Sequence, residues 1–392
     1  MTENLDEINV GPKIALGQLA LVLLLGTFSF MAIYSAQQAS KYGDNFILKQ
    51  SIFYIIGFII AFIVMQFDSE RLKKACWYLY GFGIFLLLFL WVAPDSIAKP
   101  VNGAKCWFRF AGISLQPSEF MKIFLIITLA HIIQQHHTKY EVKTTKTDLI
   151  LLGKLAGLTL LPIAIIMQQP DLGTSIVFIA ILIGMTFISG ITYRLLLPII
   201  MGGIGLIAVI FYFVLQAPAV LEKYLGAEVY QFNRIYSWLD PYNYPSDSGY
   251  QLVRSLMAIG SGEISGKGIS GRQVFLPEAH SDFVFSIIGE EFGFIGASIV
   301  VILFFLLIYS WIKIALETKN EFNAYICVGV ISMMTFHVFQ NIGMTIGVLP
   351  ITGIPLPFVS YGGSSLWGSM MALGLIFSIR YHHRVYMFST RA

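Results

Sequence analysis

Charged residues are scarce in this sequence: Asp, Glu, Lys and Arg make up 12% of its 392 residues, whereas hydrophobic residues reach 56%. A soluble domain with this balance would expose large apolar patches, so the composition excludes an ordinary soluble enzyme. The formal net charge of +3 is too small to indicate a nucleic-acid partner. Aromatic residues are plentiful at 15%, as is typical where rings line the interfaces of a bilayer.

Paired cysteines and a cleavable leader are also missing. Cys76, Cys106 and Cys327 lie far apart without a ligand-like spacing, so we predict neither a disulfide nor a cysteine metal site. The first apolar run, residues 14–34, is longer than the apolar region of a signal peptide, and no convincing cleavage site follows it. We expect this run to remain as a membrane helix.

Long apolar runs dominate the chain and predict about ten transmembrane helices, because each is long enough to cross about 30 Å of hydrocarbon. The runs are 14–35, 49–66, 75–93, 118–134, 149–167, 174–190, 194–217, 283–312, 323–349 and 364–380. We therefore expect an all-α integral membrane protein with a single polytopic domain over residues 1–392. Residues 218–282 are predicted to form a large extracellular loop between helices 7 and 8.

The positive residues of the short loops predict the orientation. With the N-terminus inside, the inner segments carry 13 Lys and Arg residues and the short outer loops carry 5. Cytoplasmic loops are enriched in Lys and Arg, so we expect both termini to be cytoplasmic. The outer face then holds residues 94–117, 168–173, 218–282 and 350–363.

Several ionisable side chains lie inside predicted spans, where each needs a partner or a purpose. Glu119 and Lys122 lie three residues apart on one face of the fourth helix. They either neutralise each other near the interface or contribute to a site, and the sequence leaves both interpretations open. Glu290 and Glu291 must face protein or a water-filled cavity, and an arginine such as Arg254 is a candidate partner.

Asp282 follows Glu278, His280 and Ser281 directly before the eighth predicted helix. Ser281 or Asp282 could cap that helix. Alternatively, Asp282 is a carboxylate held at the membrane surface, where burial and its neighbours tune its pKa. The residues alone support both interpretations equally. For Asp171, which precedes the sixth helix, capping is the favoured interpretation.

Three other segments combine unusual residues. The run Gly266–Gly271 has the glycine spacing of the dinucleotide-binding fingerprint, but no strand is predicted before it. We therefore reject a nucleotide cofactor. Its glycines are expected to let the backbone lie flat at the interface or approach a ligand. Trp107, Phe108 and Arg109 form an aromatic–cation cluster typical of an interface belt, and Arg109 can also pair with a lipid phosphate. Residues 350–365 contain three prolines and are predicted to form an irregular re-entrant element.

Four of these segments resemble motifs of the SEDS family of bacterial cell-wall proteins, whose branches are RodA for elongation and FtsW for division. The resemblance spans about residues 14–380, and residues 341–347 with 354–358 are more similar to the RodA branch. The motifs are Gln116-Pro-Ser-Glu119, Gln169-Pro-Asp171-Leu-Gly, Leu276-Pro-Glu-Ala-His-Ser-Asp282-Phe and Pro350 through Ser365.

The resemblance implies a peptidoglycan glycosyltransferase in the bacterial cytoplasmic membrane. Such an enzyme polymerises lipid II, an undecaprenyl-pyrophosphate-linked disaccharide–pentapeptide, into β-1,4 glycan strands for cell elongation and shape. The implied partner is a class B penicillin-binding protein, a transpeptidase. The alternatives are a division-specific FtsW-type polymerase, a scaffold without catalysis, or a lipid II flippase. A flippase needs polar side chains through the whole membrane depth, whereas here they crowd toward the outer side.

The implied reaction defines the residues that the site needs. For an α-linked pyrophosphate donor and a β-linked product, a single inverting displacement suffices. The acceptor hydroxyl then needs a base, and the motif match selects Asp282. The departing pyrophosphate needs cationic side chains or a divalent cation such as Mg²⁺ or Mn²⁺, for which no ligands are assigned. No covalently bound cofactor is expected. The residues expected to contact the substrate are Arg109, Lys122, Glu119, Trp107, Glu278, His280, Ser281, Ser360 and Lys267.

Overall fold

The computed structural model describes residues 10–39, 45–99, 105–110, 113–216, 229–244 and 248–389. Within these residues it contains twelve helices and a two-stranded antiparallel sheet. The helices are α1 (Val10–Ala39), α2 (Phe46–Met65), α3 (Ser69–Val92), α4 (Pro117–Lys139), α5 (Thr145–Met167), α6 (Leu172–Ile188), α7 (Tyr193–Gln216), α8 (Val229–Leu239), α9 (Ser248–Ser261), α10 (Val284–Glu317), α11 (Glu321–Thr345) and α12 (Gly363–Ser389). The strands are β1 (Phe108–Phe110) and β2 (Ile113–Leu115).

Ten of the helices, α1–α7 and α10–α12, coincide with the ten predicted apolar runs. Among the described residues, 8 helices are long and apolar enough to cross a membrane, and α6 is a shorter apolar helix of 17 residues. Several begin at polar caps: the side chains of Asp68, Thr144 and Asn320 each accept a hydrogen bond from a backbone N–H of the first turn. The prediction of an all-α, multi-pass membrane protein is confirmed.

The helix α4 lies at the centre of the bundle, and its neighbours are α3, α11, α12 and α5. Its side chains are buried on every face; Leu125, Ile126 and Leu129 are fully enclosed. By contrast, α7 buries only Leu196 and Val214 among its described side chains. A helix that is buried all round marks the core of a membrane bundle, so residues of α4 are well placed to support a site.

The predicted outer loop, residues 218–282, contains more structure than the sequence indicated. Two helices, α8 and α9, lie within it, whereas its residues 218–228 and 245–247 fall outside the described part of the chain. The helix α9 packs along α10. The indole N–H of Trp238 in α8 donates to the carbonyl oxygen of Gly347 at 2.9 Å. These contacts attach the segment to the ends of α10 and α11.

The helix α10 is interrupted at Gly293, whose φ of 62° is left-handed. Near the break, backbone groups of α10 lack their usual partners within the helix, and residues 263–268 form hydrogen bonds with them instead. The amide of Lys267 donates to the carbonyl of Glu290 at 3.1 Å, and the amide of Phe294 donates to the carbonyl of Glu263 at 2.9 Å. We call residues 262–274 the clasp, because they close over the break.

The clasp supplies the partners of Glu290, and they include an arginine, although it is Arg272 rather than the candidate Arg254. Lys267 Nζ donates to Glu290 Oε1 at 2.8 Å, and Arg272 Nε lies 4.0 Å from Glu290 Oε2. Arg254 instead stacks over the ring of Tyr250, 5.1 Å from its centroid. Gly266 permits this close approach, because a Cβ at that residue would lie 2.1 Å from the carbonyl oxygen of Glu291.

The first of the segments predicted to lie outside contains a two-stranded antiparallel pairing that the sequence did not predict. Arg109 in β1 pairs with Ser114 in β2. The Phe108 ring is buried against the end of α3, whereas Arg109 is exposed and Trp107 is half-buried. The predicted aromatic–cation cluster is therefore divided between a buried ring and an exposed guanidinium.

Candidate active site

The four predicted motifs meet at one end of the bundle, which we call the site end. Gln116 Nε2 donates to Asp171 Oδ2 at 2.8 Å, and the backbone N–H of Gln116 donates to Ser364 Oγ at 2.8 Å. Ser360 Oγ donates to the carbonyl oxygen of Ser281 at 2.6 Å. Segments far apart in the sequence thus form one connected surface.

Asp171 caps α6, as predicted. Its Oδ1 accepts from the backbone N–H of Thr174 at 3.0 Å, and its Oδ2 accepts from the Thr174 hydroxyl at 2.7 Å. Together with the bond from Gln116, these contacts give Asp171 three donors. A carboxylate with this many donors has a structural role at the helix end.

Asp282 does not cap α10, which excludes the alternative that the sequence had left open. The residue at the cap position is Phe283, and no side chain accepts a cap hydrogen bond there. Ser281 Oγ donates instead to the backbone oxygen and Oε2 of Glu278, both at 3.2 Å. The half-buried Asp282 carboxylate is therefore not required by the helix start.

The turn that carries Asp282 is held through three consecutive carbonyl groups. The amide of Tyr361 donates to the oxygen of His280 at 2.8 Å, and Ser360 donates to that of Ser281. Asn341 Nδ2 donates to the oxygen of Asp282 at 2.8 Å. The re-entrant segment and α11 therefore fix this turn from one side.

Burial is the main reason that the pKa of Asp282 rises to about 7. The negative charge of Glu278 raises the pKa further, Arg234 in α8 lowers it, and Asp171 raises it slightly. A carboxyl group with a pKa near 7 exchanges a proton readily at neutral pH, as a general acid or base must. The sequence had not indicated Arg234, because no local pattern places α8 beside residue 282.

His280 lies in an aromatic cluster at the site end. Its ring stacks on Phe46 with centroids 4.8 Å apart, and it lies 5.4 Å from the ring of Tyr361. Burial lowers the pKa of His280, partly offset by the charge of Glu278. The imidazole is thus neutral at pH 7, and Asp282 has no histidine cation beside it.

Deeper in the bundle, Glu119 and Lys122 form a buried ion pair with His337 of α11. Lys122 Nζ lies 2.8 Å from Glu119 Oε1 and 2.9 Å from His337 Nε2. Because the ammonium group donates to Nε2, the ring proton belongs on Nδ1, which lies 3.3 Å from the carbonyl oxygen of Pro355. Lys122 is only 2% exposed, so the pair is neutralised inside the protein rather than at the interface.

The structure separates the predicted substrate residues into two groups. Glu278, His280, Ser281 and Ser360 lie with Asp282 on connected backbone. The remaining residues have other surroundings: Lys267 pairs with Glu290, Glu119 with Lys122, and Trp107 and Arg109 lie at strand β1. The substrate contacts assigned to both groups stay predictions.

The described residues do not offer a protein-only metal site. No three His, Cys, Asp or Glu side chains in this part of the chain lie close enough together to hold a metal ion. Mg²⁺ commonly takes most of its ligands from phosphate and water, so a substrate-borne cation remains compatible with this surface.

The fold and site together define a multi-pass membrane protein in which the turn that carries a half-buried carboxylate, Asp282, packs against the irregular segment 350–361. The family model FTSW_RODA_SPOVE, described as a cell cycle protein, matches residues 15–385. Stage V sporulation protein E of Bacillus subtilis (strain 168) is 34% identical over 372 residues, 93% of this chain and 96% of the relative. The probable peptidoglycan glycosyltransferase FtsW of Coxiella burnetii is 34% identical over 377 residues, 93% and 94% of the two chains.

Solved structures agree with these relatives. A chain described under "Structural coordination of polymerization and crosslinking by a peptidoglycan synthase complex" has a TM-score of 0.75 and 28% identity, and the match covers 93% of this chain and 97% of that one. The rod shape determining protein RodA of Thermus thermophilus has a TM-score of 0.66 and 26% identity, over 93% and 96%. This chain belongs to the FtsW, RodA and SpoVE family, the SEDS family, as the sequence motifs predicted.

Proposed function

We propose that this protein is a peptidoglycan glycosyltransferase that polymerises lipid II into β-1,4 glycan strands, with Asp282 as the general base. One observation carries the mechanism: the turn that carries Asp282 is held at the site end by hydrogen bonds to three of its backbone carbonyl groups, while the carboxylate itself serves no capping role and has its pKa raised to about 7. A base with this pKa is half ionised at neutral pH and can still accept a proton in the transition state.

The proposed step is a single inverting displacement. The acceptor 4-hydroxyl oxygen attacks the anomeric carbon of the donor, and the bond from that carbon to the pyrophosphate oxygen breaks. The electron pair leaves with the undecaprenyl pyrophosphate, and the hydroxyl proton passes to Asp282. The α-linkage of the donor becomes a β-linkage in one step, so no covalent enzyme intermediate is needed.

The departing pyrophosphate needs positive charge. Of the predicted cations, Arg109 has an exposed side chain, whereas Lys122 and Lys267 already neutralise buried carboxylates. We propose Arg109 as the phosphate partner, and Arg234 as a second cation that acts near Asp282. The Arg234 charge would favour the ionised form of the base and attract the anionic substrate.

We propose that the site end faces the outside of the cell, with both termini cytoplasmic. The excess of Lys and Arg in the opposite loops supports this orientation. The FtsW relatives are named peptidoglycan glycosyltransferases, and one structural neighbour is described as coordinating polymerisation with crosslinking. We therefore propose a class B penicillin-binding protein as the partner of this chain.

The branch within the family is a finer question. The predicted RodA branch is not confirmed, because the relatives quoted above carry the names SpoVE and FtsW, whereas RodA occurs among the structural neighbours. A role in elongation and cell shape stays a prediction. Depletion in the native cell tests it: loss of rod shape supports the elongation role, whereas filamentation with normal width supports a division role.

The decisive experiment is polymerisation of purified lipid II by the full-length protein with its transpeptidase partner. Asp282→Asn keeps the size of the side chain and the ability to hydrogen-bond, so the fold should survive. Loss of a general base typically lowers the rate about 10²–10⁴-fold. Ser265→Ala, an exposed change in the clasp, is the control and should polymerise at the parental rate.

Two outcomes would contradict the proposal. Folded Asp282→Asn protein that still made long glycan chains at the parental rate would remove the general-base role. A parent protein that moved lipid II across vesicles but never polymerised it would instead support the flippase alternative. A scaffold without catalysis would show neither activity and would function with Asp282 replaced.

A further inference from the structure

Two neighbouring amide side chains of α11 hold the re-entrant segment. Gln340 Nε2 donates to the carbonyl oxygen of Pro350 at 3.0 Å, and Asn341 Nδ2 donates to that of Ile354 at 2.8 Å. The segment has no regular secondary structure over residues 350–356, so its carbonyl groups need side-chain donors. In this respect the two amide side chains have the same role: each donates to a carbonyl oxygen of the re-entrant segment.

Asn341 differs from Gln340 because it has a second acceptor. The same Nδ2 atom donates to the carbonyl oxygen of Asp282, also at 2.8 Å, and Asn341 is completely buried. The two N–H groups of the amide are therefore both used. The opposite orientation would place Oδ1 against two carbonyl oxygens, so the hydrogen-bond pattern fixes the side chain in this orientation.

The second bond brings the reacting carboxylate against the re-entrant segment. Gly353, which precedes Ile354, has a φ of +72°, and a Cβ added there would lie 3.3 Å from Asp282 Oδ2. Asn341 thus holds the backbone that carries the carboxylate and also the backbone that faces it. One side chain sets the separation of these two segments.

We propose that Asn341 is a positioning residue for catalysis, which holds the Asp282 carboxylate in place by fixing its turn against Gly353. This inference rests on the general-base role proposed above. The simpler alternative is that Asn341 only satisfies backbone carbonyl groups, as Gln340 does. The two explanations differ in what happens to the carboxylate when the amide is removed.

The environment of Asp282 makes this difference measurable. The charged groups that face the carboxylate are Glu278 on its own turn, Arg234 of α8 and Asp171 at the start of α6. Substitution of Asn341 does not remove any of these three charged side chains. A change in the pH dependence of catalysis therefore reports a change in the position and burial of the carboxylate itself.

The test compares Asn341→Ala with the matched amide variant Gln340→Ala in lipid II polymerisation, using the full-length protein and its partner. For Asn341→Ala we expect kcat to fall about 10–10²-fold, since small displacements of a catalytic group have effects of this size. KM should change less than about twofold, because the interaction acts on the chemical step. The acidic limb of the kcat profile should move to lower pH, because a released carboxylate is better hydrated.

Gln340→Ala should keep its acidic limb at the parental pH. An unmoved limb in Asn341→Ala, or an equal movement in Gln340→Ala, would overturn the proposal. If Asn341→Ala does not fold, Asn341→Ser retains one donor and must show a shift in the same direction. If Asp282→Asn is inactive but the acidic limb of Asn341→Ala does not move, only the positioning role of Asn341 is excluded. If Asp282→Asn is active, the general-base role of Asp282 is excluded.

Discussion

The buried trio of Glu119, Lys122 and His337 leads to a quantitative prediction. Lys122 Nζ lies 2.8 Å from Glu119 Oε1, and their side chains are only 2% and 6% exposed. At this distance the attraction is about 6 kcal/mol for an effective dielectric constant near 20. The attraction offsets the loss of hydration of both ions, so removing one partner leaves a buried charge uncompensated. We expect Lys122→Met to lose about 3–5 kcal/mol of stability.

A double-mutant cycle separates this effect from a role in substrate binding. Glu119→Gln combined with Lys122→Met removes both charges, so the double variant should be more stable than Lys122→Met alone. Unfolding of the purified protein in detergent measures the four free energies. If Lys122 serves only the fold, the double variant also recovers polymerase activity, whereas a stable double variant with a raised KM would support the predicted phosphate contact.

The matched control is an ion pair of the same spacing near the surface. Lys73 and Glu70 lie three residues apart with an N–O distance of 3.0 Å, and the Glu70 side chain is 61% exposed. Lys73→Met should lose less than about 1 kcal/mol from this pair. If the stability losses of Glu119→Gln and Lys122→Met simply add in the double variant, the two side chains are not coupled as an ion pair.

The remaining predictions concern topology, charge and pH. A cysteine at Ser265 should react with an impermeant thiol reagent in intact cells, and one at Lys143 should not. The reverse labelling pattern would contradict the predicted orientation in the membrane. (Cysteines at Lys223 and Asp247, in the predicted outer loop, should react as well; both residues lie outside the described part of the chain.) Arg109→Ala should weaken polymerisation without loss of stability, because the side chain is exposed, and a parental rate would exclude it as a phosphate partner. Because the pKa of Asp282 is raised to about 7, the ionised base is lost as pH falls, so kcat should drop about tenfold per pH unit well below 7; a flat profile from pH 8 down to about 5 would contradict this.

The membrane spans could be predicted from the sequence because the signal is local. Twenty or so consecutive apolar residues form a helix in a bilayer whatever their partners are. The same holds for the cap at Asp171 and for the irregular backbone around Pro355 and Pro357, since each follows from the residue type and its neighbours. The motif resemblance indicated four segments, which the structure brings together at one end of the bundle.

Contacts between distant segments could not be predicted in the same way. Nothing near Glu290 in the sequence indicates that Lys267 will pair with it, because the break at Gly293 creates the space for the clasp. The link from Lys122 to His337 crosses 215 positions of the chain. Arg234 lies in a helix inside a segment whose composition suggested a loop. In each case the partner is set by tertiary packing rather than by a periodic pattern.

The clasp over the break in α10 also has a consequence for the order of assembly. Its backbone bonds join residues 263–268 to residues 290–295, so they can form once α10 has been synthesised. The turn at Asp282 needs partners 59 and 79 positions further along, in α11 and the re-entrant segment. We expect the nascent chain to form the hydrogen bonds of the clasp early. The turn at Asp282 should reach its final contacts only after the last helices have inserted. A ribosome-bound chain that ends before α11 would then carry a folded clasp but no assembled site.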